Sequence, residues 1–232
     1  MTIYIALDDT DMPESPGTGR LARELFNLLE KRYPAFAITR HQLYVHPDIP
    51  YTSHNSAAVI HLHSFNDADK DRLFEEIASF VKSHAAPGSD PGICMAEHDL
   101  VIPAIILFGK EAKSTVLTME QANTLAFHTA TRLIGLDGTR GGIIGALAAV
   151  GLAASGSDGR YIQFGNIRSL HEQAEIHEIH EAGIISVFST DGRSLHAGNV
   201  RFRKFPQPMR INHNPVLFVS EDKGSWNVKR WD

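Results

Sequence analysis

The sequence predicts an α+β protein, a ferredoxin-like β-α-β-β-α-β first half packed with a second α+β half. Three observations lead there. Short apolar runs rich in Ile, Val and Tyr, bounded by Pro, Gly and Asp, mark strands. Two longer stretches between them repeat apolar residues at helical spacing. Their order along residues 3–96 is strand, helix, strand, strand, helix, strand, which gives an antiparallel sheet with both helices on one face.

Ile3 to Leu7 is an apolar run ending in Asp8-Asp9-Thr10-Asp11, the pattern of a buried strand that delivers polar groups at its C-terminal end. A Pro/Gly-rich loop, Met12 to Gly17, leads to Thr18 as N-cap of a helix with Leu21, Leu25, Leu28 and Leu29 on its apolar face, stopping before Pro34. Phe36 to Val45 and Ala57 to His63 read as strands joined by the polar loop His46 to Ser56. Asn66 or Asp67 caps a second helix carrying Leu73, Ile77, Phe80 and Val81, and Gly92 to Ala96 is a short strand after it. In the second half, Ile102 to Phe108 reads as a strand. Met119 to Leu136 reads as a helix with Ala122, Leu125, Ala126 and Leu133 on its stripe, interrupted by Thr129. Gly138 to Gly151 is a glycine loop opening a small-residue helix, and Tyr161 to Ile167, Gly183 to Phe188 and Pro215 to Val219 are further strands. The pattern breaks in Ala85 to Asp90, which places a first domain over 1–88 and a second region over 89–232, the alternative being that the two pack as one compact unit.

The chain has 232 residues, 43% hydrophobic and 21% charged, enough apolar material for packed cores and too much for a disordered chain. A single cysteine, Cys94, excludes an internal disulfide and a cysteine-rich zinc site. Twenty-seven acidic against 22 basic side chains leave a net charge of −5, the wrong sign for a domain that holds polynucleotide by neutralising phosphates. Arg201, Arg203, Lys204, Arg210, Lys229 and Arg230 crowd the end, but Glu221, Asp222 and Asp232 dilute them. The first residues lack the basic start of a signal peptide and no apolar run approaches a bilayer span, so the expected compartment is cytoplasmic, with no membrane partner.

Asp8, Asp9 and Asp11 repel one another, and burying them without a counter-charge costs several kcal/mol. Mg²⁺ is the simplest remedy, since it is usually held by one or two carboxylates plus substrate phosphates. The alternative is a solvated turn. Thr18 caps its helix, and the same helix start, flanked by Gly17 and Gly19 with Arg20 in the first turn, suits an anion. Gly138 to Gly145 is a second candidate phosphate cradle, with Arg140, Gly141 and Gly142 at its mouth. Lacking Gly-Lys-Ser/Thr, it is not a P-loop. From Gly145 to Gly151 close helix packing is the better reading. The run His171 to His180 has no His-Glu-x-x-His spacing and reads as a solvated charged segment.

With Asp8-Asp9-Thr10-Asp11, Gly17-Thr18, the Pro50-Tyr51 loop, Asp90-Pro91-Gly92 and the block Arg140 to Gly151 in this order, the chain resembles the N-terminal half of the archaeal tRNA 2-agmatinylcytidine synthetase family, from residue 3 to about 165 and more loosely to Pro215. The resemblance implies a kinase-like domain that activates cytidine with ATP, next to a ferredoxin-like domain. It implies that Asp8, Asp9 and Asp11 serve metal and triphosphate, that Thr18 falls on the threonine phosphorylated in that family, and that Tyr51, His54 and Asn55 lie in the substrate loop. The family's Cys-Thr-Thr is here Gly17-Thr18-Gly19, and its Pro-Tyr-Lys-Thr-Arg-Gly-Asn reads Pro50-Tyr51-Thr52-Ser53-His54-Asn55-Ser56, without either cation. The nucleic-acid-binding domain and zinc ribbon of the family have no counterpart in the sequence. The expected function is that of an ATP/Mg²⁺-dependent phosphotransferase or synthetase-like enzyme acting on a small molecule. The alternatives are a nucleotide- or anion-binding regulatory module without turnover, and tRNA cytidine modification with the missing domains supplied in trans. For the chain alone, tRNA is not an expected partner.

Overall fold

The computed structural model describes residues 2–52, 54–65, 69–222 and 224–229, and the chain divides into two compact units, Met1–Ser155 and Gly156–Asp232. The helix cap expected at Asn66 or Asp67 lies outside the described residues, as do Ser53 of the substrate loop and Arg230 of the basic stretch.

The first unit runs β1 (Thr2–Asp8), α1 (Thr18–Leu29), β2 (Ala35–Gln42), β3 (Ser56–His63), α2 (Lys70–His84) and β4 (Gly92–Glu97). A 3-10 turn (His98–Leu100), α3 (Pro103–Glu111), α4 (Met119–Phe127), β5 (Arg132–Gly135) and α5 (Ile143–Ser155) follow. Its sheet has the order β5-β4-β1-β3-β2 and is antiparallel throughout. Ile5 sits opposite Ile60 on one side and Met95 on the other. The expected β-α-β-β-α-β arrangement is present as β4-β1-β3-β2, with β5 added at the edge. The boundary expected near residue 88 falls inside this unit, in the turn between α2 and β4.

Strand alternation assigns the two faces. Tyr4, Ala6, Val59, Cys94 and Ala96 form one buried cluster with α3 and α5. Ile3, Ile5, Leu7, Ile60 and Leu62 point the other way, toward the side on which α1 packs with α2 beside it. Each such fully buried aliphatic side chain contributes roughly 1.5–3 kcal/mol. The buried stripe of α1 is Leu21, Ala22, Leu25, Phe26 and Leu29, whereas Leu28, expected on it, is exposed. The buried face is centred on Leu25 and Leu29, and Leu28 lies just beyond its Leu21 edge, whereas Phe26 lies within the opposite edge.

Two segments differ from expectation. Ile102 to Phe108 is not a strand: Pro103 starts α3, and Ile105, Phe108, Gly109 and Ala112 are buried at helical spacing. A helix of nine residues is too short for its period to stand out in a continuous apolar run. Met119 to Leu136 is not one helix. Thr118 and Gln121 form a capping box that starts α4, which ends at Phe127, and the chain then becomes β5, with Leu133 opposite Cys94. Thr129, the break in the stripe, lies in the connection, its hydroxyl donating to the Ala126 carbonyl. In α5, Gly151 packs on the Ile105 carbonyl and Gly109 of α3 packs on Ala148. Close packing of two helix backbones therefore accounts for the small-residue block.

The second unit contains β6 (Arg160–Phe164), β7 (Gln173–Glu175), α6 (Ile176–Glu181), β8 (Ser186–Ser189), β9 (Asn199–Arg201), β10 (Met209–Ile211), β11 (Asn214–Asp222) and β12 (Ser225–Val228). They pair in the order β6-β10-β11-β12-β9-β7, and β8 lies parallel to β11. The hairpin β10–β11 turns on Asn212 and His213, both at positive φ, as a two-residue primed turn requires. The histidine-rich run occupies β7 and α6, where Ile176 and Ile179 are the buried residues of the helix. No helix among the described residues is long and apolar enough to cross a membrane.

Candidate functional site

One cavity of the first unit gathers the end of β1, the loop 48–56, the start of α1, the start of β4, the segment after α3 and the glycine loop before α5. Five aspartates line it, Asp8, Asp9, Asp11, Asp48 and Asp90, and none of the described lining residues is Lys or Arg. The strand places them. β1 is held between β3 and β4, so its C-terminal end delivers Asp8 at a fixed height, and Asp9 then turns sharply at φ 52°, a conformation that non-glycine residues adopt at a cost.

Loss of solvation, followed by the charge of Asp9, pushes the Asp8 carboxyl up to about 8, and Asp11 adds to this. Asp9 is raised to about 6, first by loss of solvation and then by Asp90 and Asp11. Gly145, at the first turn of α5, lies against the Asp8 carboxylate, where a Cβ would fall on Oδ2. Asp11 is differently placed. Its Oδ1 accepts from the Thr18 hydroxyl at 2.9 Å and its Oδ2 from Thr52 Oγ1 at 2.9 Å, while Thr10 Oγ1 donates to Thr18 Oγ1 at 3.1 Å.

Thr18 is therefore not the helix cap expected from the sequence. Gly17 holds that position with extended backbone, and Thr18 is the first helical residue, its hydroxyl committed to Asp11. The short side chain of Asp11, seven residues earlier, competes for that hydroxyl and wins. No side chain caps α1, and among the described residues the amides of Thr18 and Gly19 have no partner. The start of α1 keeps the anion-binding character read from the sequence.

The glycine loop differs. Thr139 N donates to Asp90 Oδ1, Arg140 N to the Asp137 carbonyl, Gly142 N to the Asp90 carbonyl, Ile143 N to the Arg140 carbonyl and Ile144 N to the Gly141 carbonyl. Gly141 N and Ile143 N are the longer of these bonds, each at 3.3 Å, to Thr139 Oγ1 and to the Arg140 carbonyl. The second cradle expected at Gly138 to Gly145 is thus spent on the protein itself. Gly142 has a packing reason, because a Cβ there would strike the Asp90 carbonyl and Gly92 N; Gly141 is less crowded, its nearest neighbour being Thr139 Oγ1 at 3.3 Å from such a Cβ.

Of the residues read from the sequence, Asp8, Asp9, Asp11, Thr18, Tyr51, His54, Asn55, Gly141 and Gly142 line the cavity. Asn55 is held in place by donating from Nδ2 to the Tyr44 carbonyl at 2.6 Å. Gly17 and Gly19 do not line the cavity: Gly17 lies near Asp11, and Gly19 spends its carbonyl on Arg23. Arg20 and Arg140 are not brought to the cavity: Arg20 pairs with Glu24 at 3.0 Å on the exposed side of α1, and Arg140 is exposed at positive φ. Thr52, Asp48, Asp90 and Thr139 were missed as site residues. Each lies in a stretch that stands out in the sequence: Asp90 in Asp90-Pro91-Gly92, Thr52 in the loop after Pro50-Tyr51, Asp48 in the polar loop His46 to Ser56 and Thr139 in the glycine loop. Among the described residues no three His, Cys, Asp or Glu side chains form a ready metal centre, so Asp8, Asp9 and Asp11 are not a preformed cage. Cys94 is fully buried in β4, and burial pushes its thiol up, away from nucleophilic use.

No protein-family profile matches the chain. It is 28% identical over 153 residues to an uncharacterized protein of Methanocaldococcus jannaschii, covering 65% of this chain and 50% of that protein. It is 28% identical over 155 residues to the 2-agmatinylcytidine synthetase of Pyrococcus horikoshii, an enzyme named for an isoleucine tRNA, covering 65% of this chain and 36% of that enzyme. Crystal structures of the isoleucine-tRNA agmatidine synthetase superpose with TM-scores of 0.55 without ligand and 0.56 in complex with that tRNA and ATP. Sequence identities are 22% and 23%, over 65% of this chain and 35% and 36% of those chains. A further complex holds the tRNA, AMPCPP and agmatine, at a TM-score of 0.52. The resemblance carried by the motifs is borne out: the chain is similar to a part of these synthetases and shares their α+β fold there. It spans half or less of the curated relatives' length.

Proposed function

We propose that the cavity of the first unit binds ATP with Mg²⁺ and performs phosphotransferase or synthetase-like chemistry on a small-molecule acceptor in the cytoplasm. The observation that carries this reading is the meeting of two under-neutralised carboxylates, Asp8 and Asp9, with the open start of α1 in one cavity. Groups that hold their protons this tightly lack a counter-charge, and a divalent cation supplies one. The similarity to synthetases solved with ATP supports the same reading.

In this arrangement Asp8 and Asp9 would hold Mg²⁺, which is usually bound by one or two carboxylates with substrate phosphates supplying the rest. When bound, the cation neutralises charge on the transferring phosphoryl group. The amides of Thr18 and Gly19, with Gly17 leaving the approach clear, receive phosphate oxygens. The Thr18 hydroxyl would face the terminal phosphate, oriented by Asp11, which already accepts its hydrogen bond. Tyr51, His54 and Asn55 border the acceptor's side of the cavity. Arg20 and Arg140 take no part.

The regulatory module without turnover is favoured by one observation, the lack of Lys and Arg among the described lining residues. Calorimetric titration with Mg·ATP, followed by phosphate release from ATP with and without amines and tRNA, separates the readings. Binding with turnover supports the enzyme and binding without turnover the module. No binding defeats both, and turnover that requires tRNA would replace the small-molecule acceptor.

A further inference from the structure

We infer that Asp90 is a positioning residue, an internal anion seated in the turn 138–141 that fastens the α5 wall of the cavity to the start of β4. The inference rests on the proposed nucleotide site only in what the fastened wall is for.

The turn is shaped to hold an anion. Gly138 and Arg140 both have positive φ, 56° and 67°, around Thr139, which presents its amide and hydroxyl to one point, while Gly138 N and Arg140 N are turned to Asp137. The occupant of that point is the Asp90 carboxylate. Oδ1 accepts from Thr139 N at 2.6 Å and Oδ2 from Thr139 Oγ1 at 2.5 Å, two charge-assisted bonds across 49 residues of chain. Gly138 is open on this side because a Cβ there would fall on Oδ1. The backbone of Asp90 completes the clasp, its carbonyl accepting from Gly142 N at 3.1 Å.

The clasp reaches the site through packing. Gly142 abuts the backbone of Asp8, and Gly145, one turn on, abuts its carboxylate. The start of α5 is therefore the surface against which Asp8 is set, and Asp90 decides where that surface lies. A ligand phosphate meets a wall whose donors are already paired, so it is directed to the start of α1.

Chemical rescue tests this in the full chain. Asp90→Ala empties the turn, and formate, a carboxylate small enough to take the place left, is the probe. The expected result is a lowered thermal midpoint for Asp90→Ala that rises saturably with formate. Wild type shows no such rise, and chloride at equal ionic strength does not reproduce it. Asp90→Asn keeps an acceptor for Thr139 N and needs less rescue. Mg·ATP affinity of Asp90→Ala falls about tenfold, the scale of lost outer-sphere support, and formate restores it. A variant as stable as wild type, or one that formate leaves unmoved, overturns the inference. Should Asp90→Ala fail to fold, Asp90→Asn and Thr139→Val replace it: Thr139→Val, which loses the hydroxyl bond, must lower the midpoint, and a midpoint equal to wild type overturns the inference. If wild type binds no Mg·ATP, the proposed function fails while the thermal rescue still decides the role of Asp90.

Discussion

The hydroxyl of Thr18 donates to Asp11 Oδ1 at 2.9 Å, tying the first residue of α1 to the aspartate-rich turn after β1. The bond fixes the rotamer of a hydroxyl that lies between the Asp11 carboxylate and the start of α1. Thr18 is buried, so the cost of losing that bond is not recovered from water.

Thr18→Val, which keeps shape and removes the hydroxyl, is expected to destabilise the protein by about 1–2 kcal/mol, leaving Asp11 Oδ1 and the Thr10 hydroxyl without their partner. Thr18→Ser is expected near wild type in stability and in phosphate release from ATP. Urea denaturation and a phosphate assay check the pair. Full ATPase activity in Thr18→Val would reduce the hydroxyl to a structural tie.

The raised carboxyls give a pH dependence with a definite sign. The folded protein binds protons at Asp8 and Asp9 that the unfolded chain releases near pH 3.8, so their stabilisation is present below that pH. It is lost as pH rises through about 6 for Asp9 and about 8 for Asp8. Asp8→Asn should therefore unfold later than wild type at about pH 8 and show a shallower fall in melting temperature between about pH 5 and 8. A pH profile parallel to wild type would contradict the assignment. Mg²⁺ in millimolar amounts should raise the wild-type midpoint at the same alkaline pH and have less effect on the variant.

Gly145→Ala and Gly141→Ala separate packing from conformational need in the glycine loop. A methyl at 145 falls on the Asp8 carboxylate, and a destabilisation of about 1–3 kcal/mol is expected. At 141 the nearest atom is Thr139 Oγ1 at 3.3 Å, a tight contact that a small shift relieves, so that variant should lose less, about 0.5–1 kcal/mol. Denaturant midpoints in the reverse order would mean that the loop, rather than Asp8, is the tight element.

The chain alone is expected not to bind tRNA tightly. Thr52 and His54 stand where the resembled family has Lys and Arg, and the net charge is −5. A mobility-shift titration at about 0.15 M salt and neutral pH checks it, and saturable sub-micromolar binding would show that the basic residues from Arg201 to Arg210 act as a patch that the net charge conceals.

What the sequence made legible was local. Asp8 to Asp11 stood out because an unbroken apolar strand ends there, and the start of α1 because glycine flanks Thr18. Asp90 and Thr139 could not be paired from the sequence, since nothing short of the folded sheet brings positions 49 apart together. Ile102 to Phe108 was ambiguous because a buried run of that length satisfies both periods. The strands β7, β9 and β10 have three residues each, too few for any alternation to register.

The place of β1 in its sheet also sets an order of events. Both of its partners, β3 and β4, come later in the chain, and the wall that α5 provides comes later still. A ribosome extends the chain at about 5–20 residues per second, so Asp8 and Asp9 wait some seconds in water, fully charged, before Gly145 emerges to enclose them. Contacts of such long sequence separation are slow to close. The aspartates are thus made before everything that confines them, and a nascent chain assembles this cavity only when its first unit is whole.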